Sequence, residues 1–222
     1  MKIILLCGGK GTRLFPLTKK LPKPLIPIKG KPIIDYIINF FIKENLNKFL
    51  ICTGYKSGLI KKHLKKTEIL DFKIINSGDV DILDRIKDCE KLIENNFMVC
   101  YGDTIANINF SDLMKFHKSH DGLCTMSSFN MSSNFGVIKS YKNGELFLLD
   151  EKPQNNFSIN IGYFIFSYDV FKYIHFAKDW IQFLNILIKK KQIYVKEHKG
   201  LHITINTLTE LFIAEKEIEA FE

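Results

Sequence analysis

No stretch of the 222 residues approaches the ~20 consecutive apolar residues of a membrane-spanning helix. The opening Met1-Lys2 and its apolar run resemble a secretion signal, but the run stops at Gly8 and is too short for one. The sequence has no CxxC pair. Its five cysteines, Cys7, Cys52, Cys89, Cys100 and Cys124, read as buried reduced thiols rather than disulfides or zinc ligands. RNA-binding and zinc-finger motifs are missing too. The net charge of +8, with 32 Lys+Arg, therefore reads as solvated helix faces and a lure for anionic substrates, not as a nucleic-acid footprint. There are no internal repeats, no low-complexity tracts and no linker. The expectation is one cytoplasmic domain spanning 1–222, with no membrane or nucleic-acid partner; self-association is left open.

What is present is an α/β pattern. At 46% hydrophobic and 25% charged residues, the chain is long enough for one sizeable core. Ile3 to Cys7 is a short apolar run of the kind buried on both faces of a parallel sheet. Strands are expected at 48–53, 72–76 and 97–101. Between them lie helices that start at Pro32, at Ser57 as cap, and at Asp81, the last running to Glu94. This alternation predicts a Rossmann-like, mostly parallel central sheet flanked by helices. Residues 1–104, which carry the Gly8-Gly9-Lys10-Gly11 loop, are expected to be mainly nucleotide-binding. Beyond Tyr101 the alternation weakens. A helix at 111–119 capped by Ser111 is followed by strand-like runs at 123–128, 135–140, 145–151 and 159–166. Lys142-Asn143-Gly144 marks a hairpin. Helices at 170–175, 180–190 and 208–221 and short strands at 192–197 and 202–205 complete a smaller mixed β part for a second substrate.

The most informative stretch is Met1 to Pro32. Gly8, Gly9 and Gly11 surround Lys10 and precede Thr12 and Arg13. Glycines let backbone N–H groups turn toward a ligand. With Lys19, Lys20 and Lys23 nearby, the loop suits a polyanion, triphosphate being the obvious one. A P-loop needs Gly-Lys-Ser/Thr running into a helix, and Pro16, Pro22, Pro24 and Pro27 oppose one. A dinucleotide fingerprint needs a third glycine, where Leu14 stands. There remains a long, rigid, basic loop that wraps a nucleotide, against the plain alternative of a strand-to-helix connection with surface lysines.

Asp103 follows a parallel strand at the sheet's carboxyl edge, where such sheets bind ligands. It reads as a Mg2+ ligand or as an ordinary turn aspartate, and the glycine loop on another strand end favours the metal. Ser77-Gly78 could lie against a base, or simply lead into a helix. Lys152 could reach a substrate phosphate, and Asn160 could bond a substrate hydroxyl or amide. His117 and His120, three apart on a helix, read as solvent-facing.

Gly8-Gly9-Lys10-Gly11-Thr12-Arg13-Leu14, Pro22-Lys23-Pro24-Leu25 and Gly30-Lys31-Pro32 closely resemble the signature of sugar-phosphate nucleotidylyltransferases. Tyr101-Gly102-Asp103-Thr104, Glu151-Lys152-Pro153 and Asn160-Ile161-Gly162 match that family's later motifs in order. Ser77 through Asp103 looks most like glucose-1-phosphate cytidylyltransferases. The resemblance implies that Cys7, Gly8, Gly9, Gly11, Thr12, Arg13 and Gly102 surround the nucleotide, with Ser77 and Gly78 near the base. Lys23, Lys152, Asn160 and Gly162 would serve the second substrate, and Asp103 would bind Mg2+. Arg13, Lys23 and Asp103 would act in transfer from a nucleoside triphosphate, CTP by subgroup, to a phosphorylated small molecule such as a sugar 1-phosphate. Two departures stand out. Asn206 occupies the place of a second metal-binding aspartate. Asp81-Ile82-Leu83-Asp84-Arg85 replaces a Thr-Gly-Gly. The alternatives are a cytidylyltransferase for a non-sugar phosphate, such as phosphoglutamine or phosphocholine, and a catalytically weak nucleotide-binding regulator.

Overall fold

A computed structural model of the chain describes residues 1–67, 71–131, 136–151 and 157–221. Seven strands form the main sheet: β1 (Lys2–Cys7), β2 (Lys48–Thr53), β3 (Phe72–Asn76), β4 (Phe97–Tyr101), β5 (Cys124–Met131), β6 (Phe157–Phe166) and β7 (Ile193–His198). Their order across the sheet is β7-β5-β6-β4-β1-β2-β3. Only β6 runs antiparallel to its neighbours, so the sheet is mostly parallel, as the alternating pattern predicts. Helices flank both faces: α1 (Leu17–Lys20), α2 (Ile33–Lys43), α3 (Ser57–Leu64), α4 (Ile82–Lys87), α5 (Phe110–Lys118), α6 (Phe171–Ile174), α7 (Trp180–Lys189) and α8 (Leu208–Glu217).

Successive residues of β1 point to opposite faces. Ile3 and Leu5 pack with Ile33, Ile37 and Phe41 of α2, whereas Ile4 packs with Leu83, Ile86 and Phe183 of α4 and α7. Each such fully buried side chain contributes roughly 1.5–3 kcal/mol. This two-sided burial explains why β1 reads as an unbroken apolar run. All five cysteines are buried and free.

Several local expectations change. A single helical turn, α1, fits between Pro16 and Pro22, because a turn that starts beside one proline and ends before the next needs no N–H from either. The expected Asp81–Glu94 helix ends at Lys87, and a separate 3-10 turn spans Glu90–Leu92. Lys56, in the left-handed region, begins α3 in place of Ser57, whose hydroxyl sits 2.8 Å from Thr53 Oγ1. Asn109, not Ser111, caps α5, its side chain accepting from the Asp112 N–H. His117 is not solvent-facing, and His120 is half-buried. His117 is buried, and both rings contact the Thr125 hydroxyl, at 2.9 and 2.8 Å.

The placement that matters most lies past β4. A short strand, Thr104–Ala106, pairs antiparallel with His202–Thr204, Thr104 opposite Thr204. Ile205 N–H donates to the Asp103 carbonyl at 3.2 Å. This ribbon carries Asn206 to the side of Asp103. Beyond β5, Val137–Ser140 and Leu146–Asp150 form the expected hairpin around Gly144.

Candidate active site

The parallel strands β1, β2, β3 and β4 end together, with Cys7 opposite Thr53, Thr53 opposite Asn76 and Leu6 opposite Tyr101. The glycine loop leaves β1 at this edge. Beneath it lies Arg85, a buried guanidinium projected from α4. Its Nη1 donates to Thr53 O at 2.8 Å. Its Nη2 donates to Gly78 O at 2.8 Å and Val80 O at 3.2 Å, with Gly8 O at 3.4 Å. One cation therefore ties the ends of β1, β2 and β3 through their carbonyls. A Cβ at position 8 would lie 1.9 Å from Arg85 Nη1, so Gly8 is required here by close approach as well as by any ligand. Sequence reasoning gave Arg85 no role. Its only signal was a long cation in the slot of a small-residue motif.

At the open side of the loop, three segments converge. Lys23 Nζ donates to Asp103 Oδ2 at 2.5 Å and to Asn206 Oδ1 at 2.9 Å, and Arg13 Nη2 donates to the same Asn206 oxygen at 2.9 Å. Lys23 is largely buried, its side chain 11% exposed, which strengthens the pair relative to a surface contact. Asn206 is held by the start of α8: its N–H and that of Thr207 donate to Glu210 Oε2, while Thr207 Oγ1 accepts from Glu210 N–H. This reciprocal cap fixes the amide's position.

Two cavities meet at this cluster. The first, about 480 Å³, has the glycine loop on one wall and Asp79 to Ile82 on the other. Lys10 of the loop pairs with Asp79 at 2.5 Å, and its ammonium holds the Asp79 carboxyl below its usual range. The second, about 690 Å³, is bounded by Phe129, Ile159, Asn160, His202, Thr204 and Ile213, among others. Arg13, Tyr101 and Asp103 line both cavities.

Tyr101 is held firmly. Trp180 Nε1 donates to its hydroxyl at 3.2 Å, and burial raises its pKa. Gly162, at φ +78°, leaves room for its ring, since a Cβ there would lie 2.4 Å from the ring. Gly162 thus sits behind Tyr101, in the bulged stretch of β6, and its N–H donates to Asn160 Oδ1 at 2.8 Å. Cys7, Gly8, Gly9, Gly11, Thr12 and Gly102 all line the first cavity. Ser77 and Gly78 are not on its walls; the Ser77 hydroxyl is buried without a hydrogen-bond partner among the described residues. Lys152 lies outside the described residues.

The chemistry available is electrostatic. Burial, first, and the Asp103 carboxylate, second, push the Cys7 thiol well up, so it remains protonated and unsuited as a nucleophile. Burial and the neighbouring His198 lower His202 to about 4, so its imidazole is neutral. No cluster of three or more His, Cys, Asp or Glu side chains suited to a metal occurs among the described residues. Asp103 and Asn206 nevertheless present two hard oxygens to one point, now bridged by Lys23. That donor set fits Mg2+, which commonly takes one or two protein oxygens and completes its shell with water and substrate phosphates.

A family model described as "Nucleotidyl transferase" matches residues 2–201. Glucose-1-phosphate cytidylyltransferase of Salmonella typhimurium is 28% identical, over 94% of this chain and 92% of that protein. Mannose-1-phosphate guanyltransferase beta-A of Xenopus laevis is 31% identical, over 92% of this chain and 61% of that protein. The crystal structure of HddC from Yersinia pseudotuberculosis complexed with GMP-PN superposes with a TM-score of 0.74 at 21% identity, over 98% of this chain and 99% of that one, which supports the fold. With a match extending from β1 through the ribbon's approach to Asn206, the chain belongs to the nucleotidyl transferase family.

Proposed function

We propose that the protein joins a nucleoside monophosphate unit from a nucleoside triphosphate to the phosphate of a sugar 1-phosphate and releases pyrophosphate. One observation carries this reading: two cavities of different construction open onto the same Arg13–Tyr101–Asp103 wall. The glycine-loop cavity suits the triphosphate, and the cavity beside Asn160 and His202 suits the acceptor.

In this mechanism an acceptor phosphate oxygen attacks the α-phosphorus in line. The bond from the α-phosphorus to the oxygen bridging to the β-phosphate breaks, and its electron pair leaves with pyrophosphate. No enzyme nucleophile is required, because a phosphate monoester is one already; positioning and charge dominate the barrier. Lys23 draws the anionic acceptor to the junction, and Arg13 offsets charge that builds on the phosphates. Mg2+ held by Asp103, with Asn206 as a neutral second donor, would supply further charge neutralisation. Asn160 orients the acceptor, and the neutral His202 offers it a hydrogen bond without adding charge.

CTP is the favoured donor through relatives such as the Salmonella enzyme, while the guanyltransferase relative keeps GTP in the comparison. A second reading, a non-sugar phosphate acceptor, is favoured by the apolar side chains of Phe129, Met131, Ile159 and Ile213 in the acceptor cavity. A matrix of four triphosphates against sugar 1-phosphates, phosphocholine and phosphoglutamine, read by pyrophosphate release with and without Mg2+, tests both. The expected result is release with CTP and a hexose 1-phosphate only when Mg2+ is present. Binding of CTP with no release from any acceptor would overturn the enzyme reading.

A further inference from the structure

Trp180 is the single tryptophan of the chain and the first residue of α7. It is buried and lines neither cavity, yet it reaches a wall of each. Its main-chain N–H donates to Asp81 Oδ1 at 2.9 Å, the same oxygen that accepts from Leu83 N–H at 2.8 Å and so caps α4. Asp81 and Ile82 belong to the glycine-loop cavity. The indole Nε1–H donates to the Tyr101 hydroxyl at 3.2 Å, and Tyr101 lines both cavities. The ring has little freedom: it stands edge-on to Phe164 with centroids 5.3 Å apart, and Phe183 lies 5.4 Å away. The turn that carries it is fixed as well, because the Asp179 side chain caps α7 by accepting from Gln182 N–H at 2.7 Å.

An indole N–H only donates, so the Tyr101 oxygen accepts and the hydroxyl hydrogen is turned away from α7. Asn160, which lines the acceptor cavity, is a further polar neighbour of that hydroxyl. Burial raises the phenol's pKa, so the hydrogen stays in place for donation at neutral pH. We infer that Trp180 is a positioning residue for the transfer reaction: its indole orients the Tyr101 hydroxyl toward the acceptor, and its main-chain N–H holds Asp81 at the donor wall. This inference rests on the nucleotidyl-transfer reading. One residue outside both cavities thereby sets a side chain in each, and the donor and acceptor walls keep a fixed spacing, as an in-line attack requires.

The test has a spectroscopic arm and a kinetic arm. The isotope-labelled full chain gives a single indole N–H cross-peak by NMR, which belongs to Trp180. Tyr101→Phe removes its acceptor, so the cross-peak should move upfield in the proton dimension and its hydrogen exchange should quicken roughly tenfold, the scale of one hydrogen bond. Trp180→Phe keeps a ring against Phe164 and the main-chain N–H on Asp81 but removes the indole donor. With CTP and glucose 1-phosphate as substrates, it should raise the glucose 1-phosphate KM roughly tenfold and leave the CTP KM unchanged. The Trp180→Phe, Tyr101→Phe double variant should be no worse than Tyr101→Phe alone, because the indole acts through the hydroxyl. A cross-peak indifferent to Tyr101→Phe, equal rises in both KM values, or losses that multiply in the double variant would overturn the inference. If the parent chain releases no pyrophosphate with any pair of substrates, the transfer reading fails, and the cross-peak alone then decides whether Trp180 holds Tyr101.

Discussion

The two cavities that share Arg13, Tyr101 and Asp103 are made of different material. The first is mostly main chain: a glycine loop and strand ends, clamped from below by Arg85. The second is side chains brought from distant segments, Phe129 and Asn160 from β5 and β6, His202 and Asn206 from the ribbon and its exit. A main-chain cradle recognises phosphate groups, which every nucleoside triphosphate has. A side-chain cradle recognises the shape of one acceptor. On the proposed reading, this difference puts phosphate recognition, common to every donor, on the parallel half of the sheet and acceptor selectivity on the half where β6 reverses direction.

The sharpest way to break this division is at the junction. Lys23→Ala removes the ammonium that bridges Asp103 and Asn206. Steady-state pyrophosphate release should fall roughly 10²–10³-fold. A change in the KM of one substrate alone, with turnover intact, would show that Lys23 belongs to a single cavity. Next is the clamp. Arg85→Ala leaves the Thr53, Gly78 and Val80 carbonyls without their buried donor. Urea unfolding should register a loss of about 3 kcal/mol. A loss under about 0.5 kcal/mol, the range of ordinary surface changes, would remove the clamp from the account.

A smaller effect sharpens the comparison on the acceptor side. Asn160→Ala should raise the acceptor KM roughly tenfold, the scale of one hydrogen bond, and leave the triphosphate KM unchanged. Equal increases in both would merge the two cavities into one functional unit. The smallest effect is one of pH. Burial holds His117 and His202 near pKa 4 in the folded chain, against 6.5 for the free group. Between these values the unfolded chain binds more protons, so stability is complete above about pH 6.5 and declines as pH falls toward 4. The thermal midpoint should therefore drop between pH 7 and pH 5, and less so in a His117→Asn, His202→Asn double variant. A midpoint that rises over that interval would contradict the burial argument.

The same division explains what the sequence made legible. β1, the glycine loop and Asp103 are local: an apolar run, a dense set of Gly, Pro and Lys, and an acid just past a strand each leave a contiguous mark. Arg85 left almost none, because its role is to reach carbonyls on three other segments, at Gly8, Thr53 and Gly78–Val80. The burial of His117 was illegible for a like reason, since Thr125, its partner, belongs to a different element. Residue type offers Ser57 and Ser111 as caps, whereas Lys56 in the left-handed region, one residue earlier, and Asn109, two residues earlier, begin those helices. Helix starts depend on where the chain turns, and tertiary contacts set that turn.

The most direct test of the shared wall is Asp103→Asn. That substitution preserves shape, removes one charge and leaves both cavities open. Direct titration of nucleotide and acceptor should show both still binding within a few-fold of the parent chain, while pyrophosphate release at saturation of both falls roughly 10³-fold. Release near the parent rate would contradict the account, because the carboxylate at the meeting point would then take no part in the transfer.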